Sequence, residues 1–197
     1  MKKKAIKKAA AFFAVAAMVL AVFGCGGQKE DKGIQNGKES AFKEALEVLQ
    51  AVKDAYQEDD IFSMYGGDQA NAVMDAPGKF DISQTEELSS VLGLPESQFE
   101  TVEDAASMVH MMNANTFTGA VYRLKADSDI EEFADAVKEN ILARQWMCGQ
   151  PDTLAVIDVD GTYVITAFGE AGIMETFQAN ALSALDGAKL ITEAPIG

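Results

Sequence analysis

The chain opens on a basic stretch, MKKKAIKK, followed by fifteen residues, Ala9 to Phe23, with no charged or polar side chain. At about 1.5 Å per residue this run spans roughly 22 Å as a helix, short of a hydrocarbon core of about 30 Å. A basic start and a short apolar run closed by small residues have the form of a secretory signal peptide, not of a membrane-spanning helix. The pattern then turns polar and glycine-rich, GGQKEDKGIQNGKES over Gly26 to Ser40. It predicts a flexible tether with a reach of about 20 Å.

Helical spacing begins after the tether. Phe42, Leu46, Leu49, Val52 and Tyr56 recur at three- and four-residue steps, predicting a helix with Ser40 as N-cap. It stops in the acidic cluster Glu58-Asp59-Asp60. Residues 61–82 follow no single period. Gly66-Gly67 and Pro77-Gly78 punctuate them, and Ile61-Phe62 and Lys79-Phe80 can form short extended pieces. Ser83 with Glu86 makes a capping box for a short helix through Leu92, ended by Gly93 and Pro95.

The second half reads as strand, strand, helix, strand, strand, helix. Residues 106–113 and 116–125 form the first strand pair around Asn113-Ala114-Asn115. Residues 101–113 also carry a helical alternative, with Thr101 and Asp104 as cap and Val102, Ala105, Val109 and Met112 on one stripe. The strand is preferred because TFTGAVYRLK needs a neighbour. Ser128 and Glu131 then suggest a capping box, before Ile130, Phe133, Ala134, Val137, Ile141 and Leu142 at helical spacing. Residues 153–159 and 162–168 form a hairpin around Asp160-Gly161, where glycine accepts positive φ and aspartate tolerates it. Residues 173–185 close the series as a helix. The expected fold is α+β: repeated ββα units giving a four-stranded antiparallel sheet with helices on one face, plus an N-terminal helical segment. The expected organisation is a leader over 1–24, a tether over 25–40, a helical and irregular segment over 41–100 and the ββαββα domain over 101–192.

The leader ends Val22-Phe23-Gly24-Cys25. This junction resembles the lipobox of bacterial lipoproteins: an aliphatic residue, a small residue, then cysteine, with Phe23 where that family usually has a small side chain. The resemblance implies a diacylglyceryl group on the Cys25 thiol and cleavage just before it. It places the protein on the outer face of the bacterial cytoplasmic membrane. Each buried CH₂ contributes about 0.8 kcal/mol, so two chains on one sulfur hold where one is marginal. The arrangement of leader, tether and ββα units, with the segments GAVYRLKADSD and VDGTYVITAFG, resembles uncharacterised lipoproteins of gut Gram-positive bacteria, classed as a domain of unknown function. That resemblance carries no activity and no site residues.

Charge narrows the partners. The chain has 16 Lys+Arg against 31 Asp+Glu, a formal net charge of −15. Loss of residues 1–24 removes five lysines and no acid, leaving −20. The acidity argues against nucleic acid as a partner, because phosphate binding needs basic patches. Docking onto anionic lipid by charge is excluded for the same reason, so the anchor is expected to be covalent.

Candidate chemistry is sparse. The one histidine, His110, lies in Met108-Val-His110-Met-Met112. On a strand Met108, His110 and Met112 share a face, and thioethers with imidazole suit Cu(I). Three ligands on one flat strand do not surround an ion, and a methionine-lined core explains the pattern as well. Asp158-Val-Asp160-Gly161 has the opening of a calcium loop but no glutamate at the twelfth position, where Gly169 stands; a hairpin explains it. Cys148, left without an intrachain partner once Cys25 is acylated, is a reactive thiol or an incidental one. Trp146-Met147 is a recognition patch or a core edge. No Gly-x-Ser-x-Gly elbow and no phosphate-binding glycine loop occurs. The expectation is a lipid-anchored, non-catalytic binding or assembly module, not an enzyme, with no cofactor, no metal and no catalytic residue, and with Cys25 as its lipidation site. Its expected partners are the membrane, an envelope protein or a small ligand. The alternatives are a small-ligand or metal-binding surface lipoprotein and an envelope hydrolase using carboxylates.

Overall fold

The computed structural model describes residues 40–197. The leader, the lipobox with Cys25 and the tether up to residue 39 lie outside the described residues. Among the described residues no helix is long and apolar enough to cross a membrane.

The elements follow one another as α1 (Ala45–Asp54), β1 (Met64–Gly66), β2 (Val73–Met74), β3 (Gly78–Phe80), α2 (Thr85–Ser90), β4 (Val102–His110), β5 (Phe117–Leu124), α3 (Ile130–Leu142), β6 (Thr153–Val159), β7 (Tyr163–Gly169), α4 (Ala171–Ala184) and β8 (Ala188–Pro195). The strands form one antiparallel sheet of eight, in the order β2-β1-β4-β5-β7-β6-β8, with β3 also paired to β4. The expected four-stranded sheet with helices on one face is therefore corrected on two counts.

The first is the number of strands. β1 and β3 lie end to end along β4, Met64 opposite His110 and Gly78 opposite Ser107. They come from the stretch that showed no period, because pieces of two and three residues are too short to show one. β8 comes from the tail and pairs with β6 from Thr153↔Pro195 to Val159↔Ala188.

The second is the layering. Every residue of β7 is buried. Its Tyr163, Ile165 and Ala167 pack with Val48, Leu49 and Val52 of α1 and Met174, Phe177 and Ala181 of α4. Its Val164 and Phe168 pack with Phe133, Val137 and Ile141 of α3 and Leu88 of α2. Helices thus cover both faces. The runs LAVI in β6 and YVITAF in β7 are apolar at both parities, the mark of a strand buried on two sides. Each large side chain so buried contributes about 1.5–3 kcal/mol.

Local chemistry corrects the expected caps as well. α3 is capped by Asp129, whose Oδ1 accepts the N–H groups of Glu131 and Glu132 at 2.9 and 3.1 Å, not by Ser128. Ser40 accepts only the Phe42 N–H, at 3.3 Å. α1 starts later, and its buried Ala45 N–H donates to Asp104 Oδ2 on β4 at 2.8 Å. A register shift between Val102 and Asp104 allows this: Val102 joins the α3-side core while the Asp104 carboxylate reaches α1. The β6–β7 hairpin turns at its expected residues, with φ of +56° at Asp160 and +69° at Gly161, the two positive values of a type I′ turn, but the strands pair only from Val159↔Tyr163, so Thr162 belongs to the connection and not to the return strand.

One crossing needs glycine. β1 turns out of the sheet at Gly66, where β3 enters at Gly78. A Cβ at Gly66 would stand 2.0 Å from the Gly78 nitrogen, and one at Gly78 would stand 2.5 Å from the Gly66 carbonyl carbon. Buried Ser107 locks the crossing, its Oγ accepting the Gly67 N–H at 2.9 Å and donating to the Gly67 oxygen at 3.2 Å.

Candidate functional site: an uncharged, methionine-rich end of the sheet

The antiparallel register puts the C-terminal ends of β4 and β7 beside the N-terminal ends of β5 and β6: Phe117 and Thr153 both pair with Gly169. Two loops meet there, residues 111–116 and residues 143–152. They are latched by asparagines. Asn113 Nδ2 donates to the Cys148 carbonyl at 3.0 Å, and its Oδ1 accepts the Asn115 N–H at 3.0 Å. Asn115 Nδ2 donates to the carbonyls of Met147 and Gly149 at 2.8 and 2.6 Å. The latch holds Cys148 at φ +62° and exposed.

β1 and β2 extend this end along the sheet edge. Tyr65 pairs with Met74, and the Met111 N–H donates to the Ser63 carbonyl at 3.0 Å. The His110 ring stacks on Phe62 with centroids 5.4 Å apart, and its Nδ1 accepts the Met112 N–H at 3.2 Å.

Two features set the region apart. Ile61, Val73, Met74, Met111, Met112, Leu142 and Met147 are seven of the nine large hydrophobic side chains exposed among the described residues; Met112 is 82 % and Met147 81 % exposed. The segments that carry all of them but Leu142, residues 61–67, 69–74, 111–116 and 145–151, contain no Asp, Glu, Lys or Arg, in a chain with 31 acids; the charges Asp60, Asp68, Asp75, Arg144 and Asp152 stand at their borders. Contiguous exposed apolar area marks interaction sites, and interface centres are depleted in charge and enriched in methionine and aromatics. Comparison of the chain with protein-family models, with curated proteins and with solved structures finds no match.

The structure redistributes the residues singled out in the sequence. Met108 is buried in the α1-side core. The strand ends at His110, so Met108, His110 and Met112 do not share a strand face. Trp146 and Met147 separate: Trp146 packs on Phe168 with centroids 5.2 Å apart and lies under the Arg144 guanidinium at 4.7 Å, while Met147 faces solvent. Partial burial lowers the Arg144 pKa, and its Nη2 donates to the Ser90 carbonyl. Asp158 is committed to its turn, accepting the Gly161 N–H at 2.8 Å. Met74 went unmarked in the sequence; the latch asparagines read there only as a turn, Ile61 only as part of an extended piece and Met111 only as a neighbour of His110. The signal that finds them is the absence of charge over four separate segments, which no single window displays.

A cleft of about 470 Å³ lies elsewhere, lined by Asp68, Lys79, Phe80, Asp81, Glu103 and Asp104 among others. Asp68, Asp81 and Asp104 already serve the fold. Asp68, 1 % exposed, accepts the N–H groups of Ala70, Asn71 and Asp81 and the Asn71 amide at 3.0–3.1 Å. Asp81 accepts the Ser83 N–H, and Asp104 holds α1 and pairs with Lys79 at 3.6 Å. The cleft is a by-product of loop anchoring, and the uncharged end is the better candidate.

Proposed function

We propose that this chain is a lipid-anchored lipoprotein of the bacterial cell envelope whose folded part is a non-catalytic binding or assembly module, and that the uncharged end of the sheet is its contact surface. The observation that carries this reading is the exposure of Ile61, Met74, Met112 and Met147 on four charge-free segments that end at or beside the same end of the sheet in a strongly acidic protein. Methionine suits such a surface because its unbranched, polarizable side chain adapts to its neighbour. The partner is a protein face with an apolar centre and a basic border, matching Glu58, Asp59 and Asp60 beside Ile61 and Asp152 and Glu170 beside the latch. A diacylglyceryl group on Cys25 and the tether after it hold the module at the membrane surface.

The test is site-specific photo-crosslinking in intact cells from Met74 and from Met112, with Glu139 on the outer side of α3 as control. The reading predicts one protein, identified by mass spectrometry, captured from both patch positions, not from Glu139, and lost when Ile61→Lys is added. Capture of the same proteins from Glu139, or none from the patch, contradicts it. Fatty-acid labelling of Cys25→Ala tests the anchor separately: labelling must vanish.

A further inference from the structure

We propose that Met74, Met111, Met112 and Met147 are oxidation sites and that their conversion to methionine sulfoxide switches off the contact surface. The inference rests on the contact reading given above and adds its regulation. Its basis is the way the methionines divide. Of the seven among the described residues, Met64, Met108 and Met174 are at most 1 % exposed and lie in the α1-side core. The other four are exposed, and all four stand on the charge-free segments. Oxidation follows access, so dilute hydrogen peroxide reaches the surface methionines and spares the core. The step adds one oxygen. A sulfur lone pair takes one oxygen of the peroxide, the O–O bond breaks, and the second oxygen leaves as water with both protons. Sulfur loses two electrons and the peroxide gains them. A dithiol-dependent methionine sulfoxide reductase reverses the change, returning thioether and water as its dithiol becomes a disulfide.

The fold does not depend on these sulfurs. The polar ties at the three loop methionines are made by backbone: the Met111 N–H to the Ser63 carbonyl, the Met112 N–H to His110 Nδ1, and the Met147 carbonyl to the Asn115 amide. Met74 is held by its strand pairing with Tyr65. An oxygen added to an exposed sulfur breaks none of these bonds. It does change the surface. A sulfoxide is polar and accepts hydrogen bonds, so burying it against an apolar partner centre without a donor opposes contact. Two or more sulfoxides should therefore weaken the contact at least about tenfold while the domain stays folded.

The experiment uses the full chain in a Cys25→Ala background, with a photo-crosslinker at Val73, an exposed position beside Met74 on β2. One portion is treated with dilute hydrogen peroxide and then with dithiothreitol, which restores an oxidised Cys148 thiol and leaves sulfoxide in place. Peptide mass spectrometry should find sulfoxide first at Met112 and Met147 and last at Met64, Met108 and Met174, with the thermal melt unchanged. Irradiated in the solubilised envelope fraction, the oxidised chain should capture the partner at least about tenfold less than the untreated chain, and methionine sulfoxide reductase should restore the capture. The switch is overturned, with the contact reading left standing, if the oxidised chain captures the partner as well as the untreated one, if the reductase restores nothing, or if the core methionines oxidise as readily as the exposed ones. An untreated chain that captures no protein removes the contact reading, and the switch with it.

Discussion

The entry to α1 is held by a side chain 59 positions away, and that arrangement makes a quantitative prediction. Asp104 Oδ2 accepts the N–H of Ala45, a fully buried residue, at 2.8 Å. Asp104→Ala removes the acceptor and leaves the N–H in the core without a partner. Loss of a helix cap costs about 1 kcal/mol, and an unsatisfied buried donor about 1–3 kcal/mol. These describe one bond and are not added. The ion pair with Lys79 at 3.6 Å, whose side chain is 58 % exposed, adds less than about 1 kcal/mol. The expected loss is about 2–3 kcal/mol, or about 5–10 °C in Tm for a domain of this size. Asp104→Asn keeps an oxygen at the same place and should cost about 1 kcal/mol or less. The assay is urea unfolding followed by circular dichroism. Two neighbouring ties survive either change: Arg123 Nη1 to the Lys43 carbonyl at 2.9 Å and the Tyr163 hydroxyl to the Phe42 carbonyl at 3.0 Å. The loss should therefore appear in stability and not in the slope. Equal effects of alanine and asparagine, or an alanine effect within about 0.5 kcal/mol of zero, would refute the reasoning.

Three further outcomes are expected. Burial opposes ionisation of Asp68, but the Asn71 amide and the N–H groups of Asp81 and Ala70 outweigh it and hold the carboxyl below its ordinary range. Ionised Asp68 therefore favours the fold; its contribution is full above about pH 4 and is lost as pH falls through the folded value. Asp68→Asn should be less stable than wild type at pH 7, with the gap closing as pH falls below about 4; a constant gap across a Tm–pH series counts against this. Gly66→Ala should lower stability by at least about 2 kcal/mol, because its Cβ would meet backbone on three sides, while Gly172→Ala, with nothing within 4 Å, should be neutral or better in the same chemical melts. Asn115→Ala should change global stability by under about 1 kcal/mol yet speed amide exchange in residues 147–150 several-fold, since it frees two carbonyls at the surface.

Much of the secondary structure was legible. α3 at Ile130–Leu142, β6 at Thr153–Val159 and the Asp160-Gly161 turn stand where periodicity and turn chemistry put them. Strand also prevailed over helix, as the need of β5 for a neighbour suggested, but over Val102–His110 and not over the expected 106–113. What failed was assembly. Alternation was read as one covered face, although Leu154 to Ile157 and Tyr163 to Phe168 are apolar at both parities. β1, β2 and β3 are set by the Gly66–Gly78 crossing and the Asp68 anchor, which are tertiary facts. The candidate site was half visible: Met112, Trp146, Met147 and Cys148 drew notice as two unrelated stretches. Their union depends on Asn113 and Asn115, which read only as turn residues.

The most direct test of the contact surface uses the methionines themselves. With methyl-¹³C methionine, the exposed Met74, Met111, Met112 and Met147 report on the uncharged end, while buried Met64, Met108 and Met174 serve as internal controls. On titration with the solubilised envelope fraction, the account predicts that the four exposed methyl signals broaden or shift and the three buried ones stay in place. Unchanged spectra, or an equal response from all seven, would contradict it.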